Sequence, residues 1–213
     1  MTERWYFILL TILMSIPPQR VLAHPVSYQD GTMVSGTYMR DWIEHDINYT
    51  FSPTTSAGLT EFRIGNGKES RDYALPRLNH RFRWNGLDSQ TNLYLTAGVG
   101  ARIDPDAYAP AGLVGLQADY ETRRIYTLAL AESVLEADRD PLTHLQYRIG
   151  FSPWLSGFDD VSTWLIAQVD YRPYRPDDEL MVTPLVRLFW HNVLVEAGVS
   201  LDGSVMAAWM IGF

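Results

Sequence analysis

Histidine is the residue type in this sequence that could most readily support catalysis, because its side chain gains or loses a proton near pH 7. The five histidines are His24, His45, His80, His144 and His191. Only His144 lies close to a carboxylate in a predicted loop, with Asp140 four residues before it. A hydrolytic site also needs a nucleophile that converges with such a pair, and no nucleophile motif accompanies this one. We therefore interpret His144 as a solvated loop histidine and predict no catalytic residues.

Metal binding is the second type of chemistry to weigh, and His24 is its candidate. If the chain is cleaved before His24, the new α-amine and the imidazole can chelate one metal ion. Met206 and Met210 add soft thioethers of the kind that copper prefers, although two Met on one strand more often fill space. The sequence has no cysteine, which excludes disulfides, thiolate zinc sites and iron–sulfur clusters. Metal binding is thus the weaker interpretation, and we expect no cofactor.

The first 23 residues have the features of a cleavable export signal. Arg4 gives a basic start, residues 5–16 form an apolar run, and Val21 and Ala23 supply small residues before the predicted cleavage site. The apolar run is shorter than the ~20 residues that a membrane-spanning helix needs, which disfavours an uncleaved anchor. We divide the chain into a signal peptide (1–23), a periplasmic N-terminal tail (24–30) and a barrel domain (31–213).

Beyond the export signal, polarity alternates with a period of two residues, which is typical of β-strands. Val186 and Leu188, for example, share one face of a predicted strand, and Arg187 lies on the other. No convincing amphipathic helix interrupts this pattern. The predicted strands are 31–38, 42–51, 57–64, 71–84, 91–102, 111–121, 124–135, 144–151, 161–171, 180–190, 193–201 and 205–213.

The connections between these strands indicate a membrane barrel. Short turns alternate with longer, more acidic connections such as 103–110 and 136–143, an asymmetry that is typical of outer-membrane barrels. Every backbone polar group in hydrocarbon needs a protein partner, so the sheet must close on itself. The sequence therefore predicts an all-β fold with a single closed antiparallel transmembrane β-barrel of twelve strands. Ten strands is the alternative if the first hairpin is not part of the wall.

The end of the chain carries a resemblance to a known sorting sequence. Trp209, Ile211 and Phe213 form an apolar face that finishes in an aromatic residue. This resembles the C-terminal strand that marks bacterial outer-membrane proteins for the barrel-assembly machinery. Met206 and Ala208 depart from that pattern, which more often has a polar residue and a glycine there.

The mature chain is also similar to a family of small uncharacterised proteobacterial outer-membrane β-barrel proteins. The segments that carry this resemblance are 24–28 (HPVSY), 87–94 (LDSQTNLY) and 182–187 (VTPLVR). Both resemblances imply a barrel in the bacterial outer membrane, reached by export, and neither implies a mechanism.

Alternate side chains of each strand point to opposite faces of the barrel wall, so the sequence predicts which residues face lipid and which face the lumen. Aromatic residues expected on the lipid face or at its ends are Tyr49, Phe51, Phe82, Trp84, Tyr120, Tyr126, Tyr147, Phe151, Tyr171, Trp190 and Trp209. Acids expected in the lumen are Glu44, Asp46, Glu61, Asp119, Glu121, Asp170 and Glu196. Bases expected there are Arg63, Arg77, Arg81, Arg83, Arg148 and Arg187. Their near balance predicts Arg–carboxylate pairs, which would either fill the barrel or line a narrow polar path.

These features favour a non-enzymatic outer-membrane protein, either a narrow passive channel or a structural barrel with a charge-paired lumen. The alternatives are an outer-membrane enzyme that acts on lipid or peptide through His144 and Asp140, and a binding protein that uses its loops. Expected partners are outer-membrane lipid, lipopolysaccharide and, during biogenesis, the barrel-assembly machinery. A nucleic-acid partner is disfavoured, because 17 Lys and Arg against 25 Asp and Glu give a net charge of -8.

Overall fold

The computed structural model describes residues 25–65, 70–104, 107–157, 159–174 and 180–213, so the predicted signal peptide and His24 lie outside the described residues. The alternating segments form twelve strands, as predicted: β1 (Thr32–Met39), β2 (Trp42–Ser52), β3 (Thr55–Ile64), β4 (Arg71–Asn85), β5 (Ser89–Ile103), β6 (Tyr108–Thr122), β7 (Ile125–Glu136), β8 (Leu142–Phe151), β9 (Ser162–Tyr171), β10 (Met181–Trp190), β11 (Val193–Val199) and β12 (Val205–Gly212). Within the described ranges, no helix has the length and apolarity needed to cross a membrane.

The strands form one closed antiparallel barrel in which each strand pairs with its neighbours in sequence. Closure comes from β1, which pairs with β12 from Met33 opposite Gly212 to Tyr38 opposite Ala207. Thr32 and Phe213 extend this seam by exchanging two backbone hydrogen bonds of 3.0 and 2.8 Å. The first hairpin is therefore part of the wall, and the ten-strand alternative is wrong.

The two ends of the barrel differ in their connections. We call the end at which β1 begins and β12 ends the turn end and the opposite one the loop end. The turn end carries the connections 53–54, 86–88, 123–124, 152–161 and 191–192. The loop end carries the connections 40–41, 65–70, 104–107, 137–141, 172–180 and 200–204.

The outer surface is an apolar belt, as the alternation predicts. Side chains such as Leu78, Val99 and Val195 are exposed on it, and most of the predicted aromatic residues are exposed or half-buried there. Tyr126 is the exception, because it is only 3% exposed and faces inward. Ile125 takes the outward position at the start of β7, and the guanidinium of Arg187 lies 4.4 Å from the centre of the Tyr126 ring.

The interior contains an apolar cluster as well as charges. Trp42, Phe62 and Ile64 are buried near the loop end, with the rings of Trp42 and Phe62 5.0 Å apart. Because Phe62 and Ile64 point inward, Glu61 and Arg63 between them are exposed on the outer face. The predicted lumenal positions of Glu61 and Arg63 are therefore wrong.

Candidate functional site

The predicted lumenal residues other than Glu61 and Arg63 lie on the inner face of the wall. They form two ion-paired groups, a His–Asp pair and a polar network at the turn end. The first group, which we call the basic group, surrounds the carboxylate of Glu196 on β11. Arg148 donates from Nη1 to Glu196 Oε2 at 3.0 Å, and Arg187 donates from Nε to Oε1 at 2.6 Å. Two guanidiniums that share one buried carboxylate cross-link β8, β10 and β11 through the interior.

The second group, which we call the acidic group, surrounds the guanidinium of Arg77. Asp46 accepts from Arg77 Nη2 at 2.8 Å and from the Thr60 hydroxyl at 2.7 Å. Glu44 accepts from the indole N–H of Trp42 at 3.2 Å. Glu132 on β7 interacts electrostatically with the same residues. Three carboxyl groups thus surround one guanidinium in this part of the lumen.

His144 is buried in the wall, and its predicted position in a solvated loop is wrong. Its Nε2 donates to Asp170 Oδ1 at 2.8 Å, and Gln146 and Gln168 also donate to that carboxylate. Asp140, the partner considered from sequence, instead lies on the loop-end rim beside Arg139. The pair has no hydroxyl nucleophile among its described hydrogen-bond partners, so it can orient polar groups in the wall but forms no triad.

At the turn end, the basic residues on β4 contact polar neighbours. Arg83 Nε donates to Asn92 Oδ1 at 3.0 Å, and Asn92 donates to Asp119 at 2.8 Å. Arg81 donates from Nη1 to the carbonyl oxygen of Val26 at 2.9 Å. Glu121, on the same face of β6 as Asp119, interacts electrostatically with Arg187. The contact with Val26 shows that residues 25–27 of the predicted N-terminal tail pack against the inside of the barrel at this end.

A network at the loop-end rim escaped the sequence analysis. Glu136 accepts from Arg71 Nη1 at 2.9 Å, from the Tyr73 hydroxyl at 2.8 Å and from Arg102. Arg102 also binds Asp138, and this hydrogen bond lowers the pKa of the Asp138 carboxyl below its usual value. The sequence feature that could have predicted this network is an arginine at the end of a strand next to an acidic loop. The network ties β4, β5 and β7 together where they leave the apolar belt.

The basic and acidic groups border one cavity of about 190 Å³. It follows the inner face of β1 from Met33 to Met39, a rise of roughly 20 Å for six residues. Ser35 and Thr37 on β1 and Ala208 on β12 are small, which leaves this side of the lumen open. The opposite wall consists of Tyr126, Leu128 and Leu130 on β7, which fill the remaining width.

The candidate metal ligands do not converge within the part of the chain that the structure describes. Met206 and Met210 point inward as predicted, but Met206 packs in the larger apolar cluster and Met210 packs with Met33 and Leu194. In the described ranges, no three His, Asp or Glu side chains are placed to hold a metal ion. His45 and His80 lie on the outer face, hydrogen-bonded to Tyr38 and Thr55.

Comparison with solved structures finds a similar barrel fold in a porin. A complex of the KdgM porin with disordered oligogalacturonate has a TM-score of 0.50, is 8% identical, and covers 86% of this chain and 98% of its own. KdgM porin alone matches with a TM-score of 0.49 at the same 8% identity and the same coverage, 86% and 98%. OccAB4 of Acinetobacter baumannii matches with a TM-score of 0.39 at 9% identity, covering 80% of this chain and 51% of its own.

At these identities, the comparison establishes the barrel fold and nothing finer. No protein-family model matches the sequence, and no curated protein matches it either.

Proposed function

We propose that this chain is a narrow passive channel for small hydrophilic solutes. The observation that carries the proposal is the cavity along β1, which has Pro25 and Met33 in its lining on the turn-end side and Met39 on the loop-end side, and which is bordered by the acidic and basic groups. Charged side chains stabilise water in a confined space, whereas a purely apolar constriction tends to lose it. A path with both signs of charge can accommodate ions or dipolar solutes, and its small cross-section excludes larger ones.

We further propose that the barrel lies in a bacterial outer membrane. Three features support this location: the apolar belt, the predicted export signal, and the apolar C-terminal face of Trp209, Ile211 and Phe213. The KdgM porin, which shares this barrel fold, supports a channel function. Lipid and lipopolysaccharide on the outside, and the barrel-assembly machinery during biogenesis, are the partners that this location implies.

Single-channel recording in planar bilayers tests the channel. We expect discrete openings of the refolded mature protein, and Ala208→Trp should at least halve their conductance, because it places an indole in the open side of the lumen. Ala207→Trp is the matched control, because its side chain lies on the outer face and should leave the conductance unchanged. Folded protein that never opens would indicate a filled structural barrel and would contradict the proposal.

A further inference from the structure

Residues 25–27, which we call the strap, enter the barrel at the turn end instead of continuing the wall. Val26 is fully buried and Ser27 is 4% exposed, although both precede β1. The direction of the chain changes at Asp30, whose φ of 64° lies in the left-handed region. Asp30 and Gly31 are bonded to the wall: the N–H of Asp30 donates to the carbonyl oxygen of Thr50 at 2.7 Å, and the carbonyl oxygen of Gly31 accepts from the N–H of Thr50 at 2.9 Å. The strap is therefore a separate segment attached to the wall through a bend.

Three side chains of the wall hold the strap by its backbone. Ser56 donates to the carbonyl oxygen of Pro25 at 2.7 Å, and Arg81 donates to that of Val26 at 2.9 Å. The backbone N–H of Ser27 donates to the hydroxyl of Thr50 at 3.1 Å. These contacts come from β2, β3 and β4, on one side of the lumen. None of these three hydrogen bonds is part of the ladder between strands, so the closure of the barrel does not depend on them.

Arg81 connects the strap to the wall. It is 5% exposed, and it donates both to Val26 of the strap and to the carbonyl oxygen of Pro53 in the turn between β2 and β3. A buried guanidinium loses a charge-assisted hydrogen bond if the strap departs, which favours the bound position. The Arg81 side chain thus contacts both the strap and the turn between β2 and β3.

The strap also borders the cavity, because Pro25 is one of its lining residues at the turn end. We propose that residues 25–27 form an autoinhibitory strap that narrows the turn end of the channel, with Arg81 as its latch and residues 30–31 as its hinge. This inference rests on the proposed channel function and adds a mechanism that regulates it. Release of the strap widens the path without any change in the strands.

Gly31, in the hinge, has no room for a side chain. A Cβ on Gly31 would lie 2.7 Å from Cε2 of the Tyr28 ring and 3.0 Å from the Ser27 hydroxyl oxygen. Gly31→Ala should therefore displace Tyr28 and Ser27 and loosen the strap without removing a charge. This substitution provides a second way to release the strap, independent of Arg81.

Single-channel recording gives the first test. Arg81→Ala should raise the ratio of open to closed time by about tenfold or more, the change expected for the loss of one hydrogen bond to a charged group. Gly31→Ala should change it in the same direction. Arg83→Ala is the control, because it removes a neighbouring lumenal charge that has no described hydrogen bond to the strap.

Cysteine labelling gives a second readout that does not depend on conduction. Because the chain has no cysteine, Ser27→Cys introduces a single thiol. We expect a membrane-impermeant maleimide to label it slowly in the parent background and at least fivefold faster with Arg81→Ala or Gly31→Ala. Thr54→Cys, in the exposed turn, should react quickly in every background.

The two proposals fail in different ways. Equal labelling of Ser27→Cys in all backgrounds would overturn the strap, whatever the conductance. Faster labelling in the released variants without any openings would overturn the channel and with it the autoinhibitory role. Faster labelling together with an unchanged open fraction would show that the strap moves but does not restrict the path, which also overturns the inference.

Discussion

Glu196 is the residue on which the basic side of the lumen depends. Its carboxylate is 2% exposed and accepts from two guanidiniums, so neither Arg148 nor Arg187 is left as an isolated charge in the interior. A buried pair of this kind adds little compared with a well-packed apolar core, but the loss of one partner is costly because the remaining charge stays buried. Two positive charges would remain here, which makes the position more sensitive than a simple pair.

We therefore expect Glu196→Gln to lower the free energy of unfolding by about 3 kcal/mol. The measurement is guanidinium chloride unfolding in lipid vesicles, followed by tryptophan fluorescence. Glu61→Gln is the matched control, since that carboxylate is exposed on the outer face and should change the value by less than about 0.5 kcal/mol. Equal effects of the two substitutions would mean that the Glu196 pairs do not stabilise the barrel.

Residue positions were predictable from sequence only where the alternation had a clear polar face. Arg77 and Glu196 lie on the inner face because their neighbours in the strand are apolar and point outward. The same rule failed at Glu61 and Arg63, because Phe62 and Ile64 near the loop end pack inward against Trp42. There the strand follows the pattern of a water-soluble barrel, with apolar residues inside and charges outside.

At the scale of elements, the pairing of β4 and β5 shows how the wall accommodates a proline within a strand. Pro76 lies in the middle of β4, where the ladder to β5 is interrupted between Ala74 and Arg77. Proline has no N–H to donate, so it is tolerated only at such an interruption. Opposite it, Gly98 and Gly100 allow the β4 backbone to come close; a Cβ on Gly98 would lie 2.7 Å from the carbonyl oxygen of Pro76.

Gly100→Ala should destabilise the barrel by about 1–3 kcal/mol, because its Cβ would collide with the carbonyl oxygen of Ala74, a backbone atom that cannot move aside. On the neighbouring strand β6, Gly112→Ala meets no atom closer than 3.7 Å and should be neutral or slightly stabilising. Unfolding of both variants in vesicles checks the difference. A barrel that tolerates both substitutions equally would show that the close approach of β4 and β5 is not needed.

The elements themselves could be predicted well, and the reason is the same period of two that governs all twelve. The turn between β10 and β11 and the long connection 152–161 lie where polarity stops alternating. β1 was the least clear strand from its own sequence, since it is short and contains Gly36. Its role as the closing strand follows from the pairing with β12, which only the whole sheet determines. Likewise, the strap lacks alternation, and its position depends on side chains far away in sequence.

At the scale of the whole molecule, the apolar belt is what separates a membrane barrel from a soluble one. Leu188, Val195 and Val199 on neighbouring strands are all more than two-fifths exposed, and an aqueous protein rarely leaves so continuous an apolar surface uncovered. The interior is not uniformly polar, because it combines charge pairs with the apolar cluster around Trp42. The belt therefore carries the information about environment, and a substitution on it tests the location directly.

Val195→Arg places a charge near the middle of β11 on the outer face. In a bilayer this should lower the free energy of unfolding by about 2–4 kcal/mol, the cost of an Arg facing lipid near the midplane. Leu201→Arg is the control, because Leu201 is 78% exposed in the loop-end turn, outside the belt, and should cost about 0–1 kcal/mol. Equilibrium unfolding in vesicles of one fixed lipid composition gives both values. If the barrel were surrounded by water, an exposed arginine at Val195 would be as harmless as one at Leu201, and equal values would therefore contradict the membrane location.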